Sequence, residues 1–334
     1  MARTKRAKSL LCVLFVSFFV PVVLLLRPSG LLGGSELICD ARGWNLAGDE
    51  AYLWLSNDAL IYFRQNPSSD CGDIVRRNLL AHTDTDLPAV TELWSHACGT
   101  PIQAEISPDH RWILSTDGDN PLASMIDGKQ SFTWNREGDA HWLCDSQRVA
   151  VFTLSNTETV TGVSVLTVAV PNHVARMAHP MAFPLGSTAR ITADNHLLTT
   201  GYYTECKRGA DVSVYDVDLL GTGQIRRFVK HFPRSKVAQA AFSADGTRIA
   251  WLTECTNDSV SYALIRRFMH SLGIPKDGRV SMGLCVTRVD GSRMVDLGEV
   301  YCKPGEVKGL SWLPDDRHIS FVYRNGLFET VAPP

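Results

Sequence analysis

The sequence predicts an all-β fold, a six-bladed β-propeller of four-stranded antiparallel blades, preceded by one N-terminal transmembrane helix. Three observations predict it. A strand–turn–strand unit recurs six times between residues 54 and 319. Alternating apolar runs with turn signals follow several of the copies, as the outer strands of each unit require. One apolar run of seventeen residues lies directly behind a basic N-terminus.

The bulk composition is that of a chain able to bury a large core. Of 334 residues, 45% are hydrophobic and 20% charged, with a formal net charge of −2. A nucleic-acid binder carries a clustered basic excess to neutralise phosphates. This chain has none overall, so no nucleic-acid partner is expected.

Arg3, Lys5, Arg6 and Lys8 precede the apolar run Leu10 to Leu26, which Arg27 closes. At about 1.5 Å per residue the run spans roughly 26 Å, close to the thickness of a bilayer's hydrocarbon core. A cleaved signal peptide is the competing reading, but Leu32-Gly33-Gly34 is a poor small-x-small site and Ser29 a marginal one. The expected organisation is therefore a cytoplasmic basic tail at 1–8, a signal anchor at 9–27, a linker at 28–34 and a propeller at 35–334. The basic residues before the run place the N-terminus in the cytoplasm and the propeller in the periplasm or outside the cell.

The repeating unit is clearest in AAFSADGTRIAWLTE, residues 240–254. A large apolar residue is followed three positions on by Asp or Asn and seven positions on by an aliphatic residue. Phe242, Asp245 and Ile249 define it, with Asp245-Gly246 suited to the positive φ values of a tight hairpin turn. The other copies are Trp54-Asn57-Ile61, Ile106-Asp109-Ile113, Trp142-Asp145-Val149, Ile191-Asp194-Leu198 and Trp312-Asp315-Ile319. The spacing centres on the length of a four-stranded unit. In each, the first residue ends an inner strand, the Asx side chain binds turn amides, and the aliphatic residue opens the return strand. Segments 163–180, 211–229 and 284–300 supply outer strands. The last unit lacks a fourth strand, which a segment within 35–46 is expected to provide, so that the two chain ends close the ring and remove its exposed edges. Residues 259–283 form an insertion in which ALIRRFMHSLG suits a short surface helix.

FSADGTRIAW, WLPDDRHISF and ISPDHRWIL resemble the repeat of TolB-type, WD40-like β-propellers, over roughly residues 48 to 330. The resemblance implies a binding scaffold for a protein or other ligand, here membrane-tethered and extracytoplasmic. The alternative is a propeller enzyme, of hydrolase or lactonase type, with its site at the mouth of the central channel. Gly309-Leu310-Ser311-Trp312-Leu313 lacks the second glycine of a nucleophile elbow and falls in an expected blade strand. The ten histidines, among them His82, His110, His141, His196 and His318, show no H-x-x-x-H or H-E-x-x-H spacing. No cofactor and no locally encoded metal site is expected. The turn residues Asn57, Asp109, Asp145, Asp194, Asp245 and Asp315 form a carboxylate set on paper, yet their repeated position marks them as turn formers. Thr204-Glu205-Cys206 and Thr253-Glu254-Cys255 hold one place in neighbouring units. Apart from Cys12 the chain has eight cysteines, which satisfy either disulfides or buried thiols. Cys255 and Cys285 are the expected pair if a bridge forms.

Overall fold

The computed structural model describes residues 32–44, 52–64, 72–88, 90–91, 104–115, 121–134, 138–155, 159–168, 170–176, 182–186, 188–206, 209–233, 235–255 and 280–334. For residues 33, 170–176, 202–206, 255 and 301 it describes the backbone alone. The anchor expected at 9–27 and the helix expected at 263–273 lie outside the described residues.

The chain enters through a short 3-10 turn, Leu32–Gly34, and strand β1 (Glu36–Asp40). The first blade is β2 (Tyr52–Ser56), β3 (Ala59–Arg64), β4 (Asp73–Asn78) and β5 (Thr83–Asp86). The second is β6 (Ala104–Ile106), β7 (Trp112–Ser115), β8 (Leu122–Met125) and β9 (Ser131–Thr133). The third is β10 (Asp139–Trp142), β11 (Arg148–Leu154), β12 (Val160–Thr167) and β13 (Val170–Arg176). The fourth is β14 (Ala189–Ile191), β15 (His196–Cys206), β16 (Gly209–Asp218) and β17 (Ile225–Pro233). The fifth is β18 (Ser235–Phe242), β19 (Arg248–Cys255), β20 (Val280–Arg288) and β21 (Val295–Cys302). The chain ends with β22 (Val307–Trp312), β23 (His318–Tyr323) and β24 (Gly326–Val331).

These strands form six four-stranded antiparallel sheets, the six-bladed propeller read from the repeat. Five sheets are sequential meanders. The sixth runs β1-β24-β23-β22, so the missing outer strand does come from the opposite end of the chain. Glu36 pairs with Glu329, Leu37 with Phe328, Cys39 with Leu327 and Asp40 with Gly326, with a bulge at Ile38.

The core is distributed over the six seams between neighbouring blades. Each seam buries its own apolar cluster, and each cluster receives the large first residue of the motif from the later blade. Trp54 enters the sixth–first seam, Ile106 the first–second and Trp142 the second–third. Ile191 enters the third–fourth, Phe242 the fourth–fifth and Trp312 the fifth–sixth. A large apolar residue therefore recurs there because every seam needs a filler at the inner end of its later sheet.

The turn that follows differs from the two-residue hairpin expected. The carbonyls of Ser107, Leu143, Thr192, Ser243 and Leu313 accept from the amides three residues on. Those third residues, His110, Ser146, Asn195, Gly246 and Asp316, have φ between 54° and 68°. Asp245 itself keeps negative φ, so only one left-handed residue is needed and four copies dispense with glycine. Tolerance has a local reason. Ser146 Oγ accepts the amide of Asp109 in the preceding blade at 2.9 Å. Asp316 accepts those of Ala244 and Asp245 at 2.5 and 2.8 Å. In the third and sixth blades the left-handed residue thus caps the turn of the blade before it. Gly246 occupies the same place against the fourth blade, where a Cβ would lie 2.3 Å from Thr192 Cγ2.

These turns yield a paired mutational test in chemical denaturation followed by tryptophan fluorescence. His110, exposed and making no such cap, is left-handed at φ 59°. His110→Gly is expected to gain roughly 0.5–1 kcal/mol, the left-handed penalty less the added chain entropy of glycine. Gly246→Ala is expected to lose about 2 kcal/mol or more, because overpacking against Thr192 adds to that penalty.

Candidate functional site

The first strand lies at one edge of every blade, and first strands of neighbouring blades meet at β2–β6, β6–β10, β10–β14 and β18–β22. Strand alternation sends the motif residue into one seam and the residue before it toward the next. Those preceding residues are Leu53, Glu105, His141, Arg190, Ala241 and Ser311, one per blade at one level. All six are part-exposed, while five of the six motif residues beside them are buried. By propeller geometry they stand as a ring at one level around the central axis, and Leu53 and Ala241 also pack against the first–second and fifth–sixth seams. The ring's ionisable groups lie on one side only: Glu105, His141 and Arg190 come from three consecutive blades. The other side presents Ala241, Ser311 and Leu53.

Glu105 and His141 touch. His141 Nδ1 lies 3.1 Å from Glu105 Oε2, and the amide of Trp142 donates to the same oxygen at 3.3 Å. This ties the second blade to the third and fixes the carboxylate. Arg190 stands at the fourth–fifth seam. Burial lowers its pKa, and the charges of Glu105, Asp316 and Asp245 oppose that effect. Ser311 Oγ donates to the carbonyl of Trp312 at 3.3 Å. It sits in an inner blade strand, as read from the sequence.

The six turn residues stay apart, each at its own blade. Five serve their turns directly. Asp109 accepts from Ser107 Oγ and the Arg111 amide, Asp145 from the Gln147 and Arg148 amides, and Asp194 from Thr192 Oγ1. Asp245 accepts from Ser243 Oγ at 2.6 Å and the Thr247 amide at 2.9 Å. Asp315 accepts from the Arg317 and His318 amides and contacts His318 Nδ1 at 2.6 Å. The first blade departs: Ser56 Oγ takes the Asp58 amide at 3.3 Å, and Asn57, exposed, makes no side-chain bond among the described residues.

The fifth–sixth seam carries the densest polar ties. Arg248 stacks over Trp312 with its guanidinium carbon 4.8 Å from the ring centroid and donates to the carbonyls of Asp316 and Pro333. Trp312 Nε1 donates to the Ala241 carbonyl at 2.9 Å, and Gln239 Oε1 accepts the Leu310 amide at 3.1 Å.

The expected Cys255–Cys285 bridge is not made. Cys285 is a free, buried thiol whose register partner is Trp251, while Cys255 faces Ser281. Four residues along the ladder separate the two, about 13 Å at strand spacing, beyond the reach of a disulfide. Burial pushes the Cys285 pKa up to about 12, which marks it as a packing residue. Glu205 and Glu254 do hold equivalent places near the ends of second strands. Among the described residues no group of three or more metal-binding side chains converges.

Architecture and channel together define the class: a six-bladed β-propeller with a charged arc at one end of its channel. Solved structures similar to the chain include one from the mitotic checkpoint complex, at 12% identity over 92% of this chain and 94% of that one, TM-score 0.52. Another is a member of the DUF4221 family from Bacteroides vulgatus, at 10% identity over 89% and 95%, TM-score 0.51. A protein from Agrobacterium tumefaciens assigned as a TolB aligns at 11% identity over 85% and 90%, TM-score 0.49. At such identities the likeness is one of fold. No family profile and no curated protein sequence matches the chain.

Titration of the turns supplies a pH test. Burial raises the pKa of Asp245 and Asp315, but the turn hydrogen bonds outweigh it and leave both below the ordinary 3.8. The Thr192 hydroxyl does the same for Asp194. A depressed folded pKa contributes stability above the unfolded value, lost as pH falls through the folded one. Thermal midpoints should therefore decline as pH drops below about 4. Asp245→Asn and Asp315→Asn should each be less stable at pH 7 and show a shallower acid decline than the parent.

Proposed function

We propose that this chain is a membrane-tethered, extracytoplasmic propeller that acts as a binding scaffold and engages its protein or other ligand at the polar arc of the channel end. The arc of Glu105, His141 and Arg190 on one side of an otherwise small and uncharged ring carries this reading. It is asymmetric in a fold whose repeat would otherwise make all six positions equivalent. The turn aspartates support it from the other direction. Each of the five turn aspartates engages at least one oxygen with a hydroxyl or amide of its own turn, whereas Glu105 belongs to no turn. The Glu105 oxygen that faces His141 also accepts the Trp142 amide. A group so held is suited to positioning a partner.

The tether rests on the basic residues and apolar run of segment 1–27. With residues 9–27 in the bilayer and Leu32 fixed in the fifth–sixth seam, only four residues connect them. Four residues reach at most about 14 Å, so the propeller would be held close to the membrane surface.

Two measurements test the reading. The chain should resist alkaline extraction from membranes, and protease should reach the propeller only from the extracytoplasmic side. A photocrosslinking residue at Ser311 should capture one dominant partner in intact membranes, whereas one at exposed Leu80 should not. Equal labelling from both positions, or stoichiometric zinc or calcium in the purified protein, would contradict the scaffold reading and favour the hydrolase or lactonase alternative.

A further inference from the structure

The ring leaves one cation unanswered. Arg190 carries five N–H donors in a rigid fork, yet among the described residues no hydrogen bond or ion pair engages its side chain. The acids whose charge it feels are Glu105, Asp316 and Asp245, and each is already held elsewhere. Asp316 gives one oxygen to the Ala244 amide and the other to the Asp245 amide. Asp245 is bonded by Ser243 and by both the amide and hydroxyl of Thr247. Neither can turn to Arg190 without uncapping a turn at a blade seam. Glu105 is fixed through Oε2 to His141 and the Trp142 amide, which leaves Oε1 without a partner among the described residues. A half-buried guanidinium and a half-used carboxylate thus share one end of the channel.

An unmet guanidinium fork in a partly dry site takes a carboxylate or phosphate most readily. Three surrounding carboxylates repel a phosphate dianion and favour a ligand that brings its own positive charge. We propose that the channel end binds a zwitterionic aminocarboxylate, with Arg190 holding the carboxylate and Glu105 Oε1 holding the ammonium. This rests on the channel end being the binding surface, and it names the chemistry that surface selects. A terminal residue of a peptide presents one of the same two charges at a time, whereas a free aminocarboxylate presents both.

The test is isothermal titration of the full chain in mild detergent with glycine, 4-aminobutyrate and 6-aminohexanoate, which span a range of charge separations. Butyrate, butylamine and inorganic phosphate are the single-charge comparisons. At least one aminocarboxylate should bind about tenfold or more tightly than each comparison, the worth of one charge-assisted hydrogen bond. Arg190→Lys keeps the charge but loses the fork, and should weaken that ligand about tenfold or more with the thermal midpoint of the free protein unchanged. Glu105→Gln should weaken the aminocarboxylate and leave butyrate as it was. The proposal is overturned if no aminocarboxylate binds, if butyrate or phosphate binds as well, or if Arg190→Lys binds like the parent. Should the Ser311 crosslink still capture a partner in that event, the scaffold reading stands and only this inference falls.

Discussion

The structure depends on one antiparallel pairing, that of Glu36–Asp40 with Gly326–Val331. A ring of blades buries its core only between neighbours, so an open ring would expose both faces of a seam and two sheet edges. Here the entering segment fastens three blades at once. Leu32 fills the fifth–sixth seam, β1 completes the sixth blade, and Cys39, Ala41 and Trp44 pack into the sixth–first seam. Trp44 then stacks on Tyr62 of the first blade with ring centroids 4.5 Å apart. On the same seam Tyr52 Oη donates to the Gly309 carbonyl and lies 2.7 Å from Ser320 Oγ, which accepts from Trp54 Nε1. The chain ends meet where the largest aromatic ties are concentrated.

Closure matters for the proposed binding end because it sets the level of the inner strands. The arc of Glu105, His141 and Arg190 is built on three separate blades, and no contact within one blade fixes their spacing. The spacing comes from the seams, each filled by the large apolar residue of its motif, and two of them, the second–third and the fifth–sixth, are also linked by a capped turn. A turn capped by its neighbour transmits position from blade to blade. Asp316 illustrates the cost: burial raises its pKa, against the pull of the Ala244 and Asp245 amides. A charge held in that way at a seam argues for a constraint on geometry more than a contribution to stability.

Much of the fold was legible because a repeat imposes the same physics six times. The seam filler, the Asx turn and the aliphatic return residue each answer a local need, so their spacing survives while the rest of each blade drifts. Ring closure was legible too, since the last unit visibly lacked a strand. The turn type was read too narrowly from Asp245-Gly246, because the other copies carry His110, Ser146, Asn195 or Asp316 at the one left-handed position. The Cys255–Cys285 expectation starts the third strand at Cys285, whereas β20 begins at Val280, so Cys255 meets Ser281 and Cys285 lies mid-strand opposite Trp251. The polar arc was overlooked although its signal was present. Setting the six copies in register shows Leu53, Glu105, His141, Arg190, Ala241 and Ser311 in the column before the filler, with charge in only two of them. Glu105 and Arg190 lie in strands of three residues, too short for any periodicity to single out.

The central claim is that the N-terminal strand closes the ring. Amide hydrogen exchange in the full chain and in a Cys39→Pro variant, which removes a backbone donor and the fit of β1 at its bulge, tests it directly. Exchange across 326–331 and 36–40 should accelerate first and most, ahead of the second and third blades, and the thermal midpoint should fall. Unchanged protection across 326–331 in the variant would contradict it, since that strand would then owe its order to something other than β1.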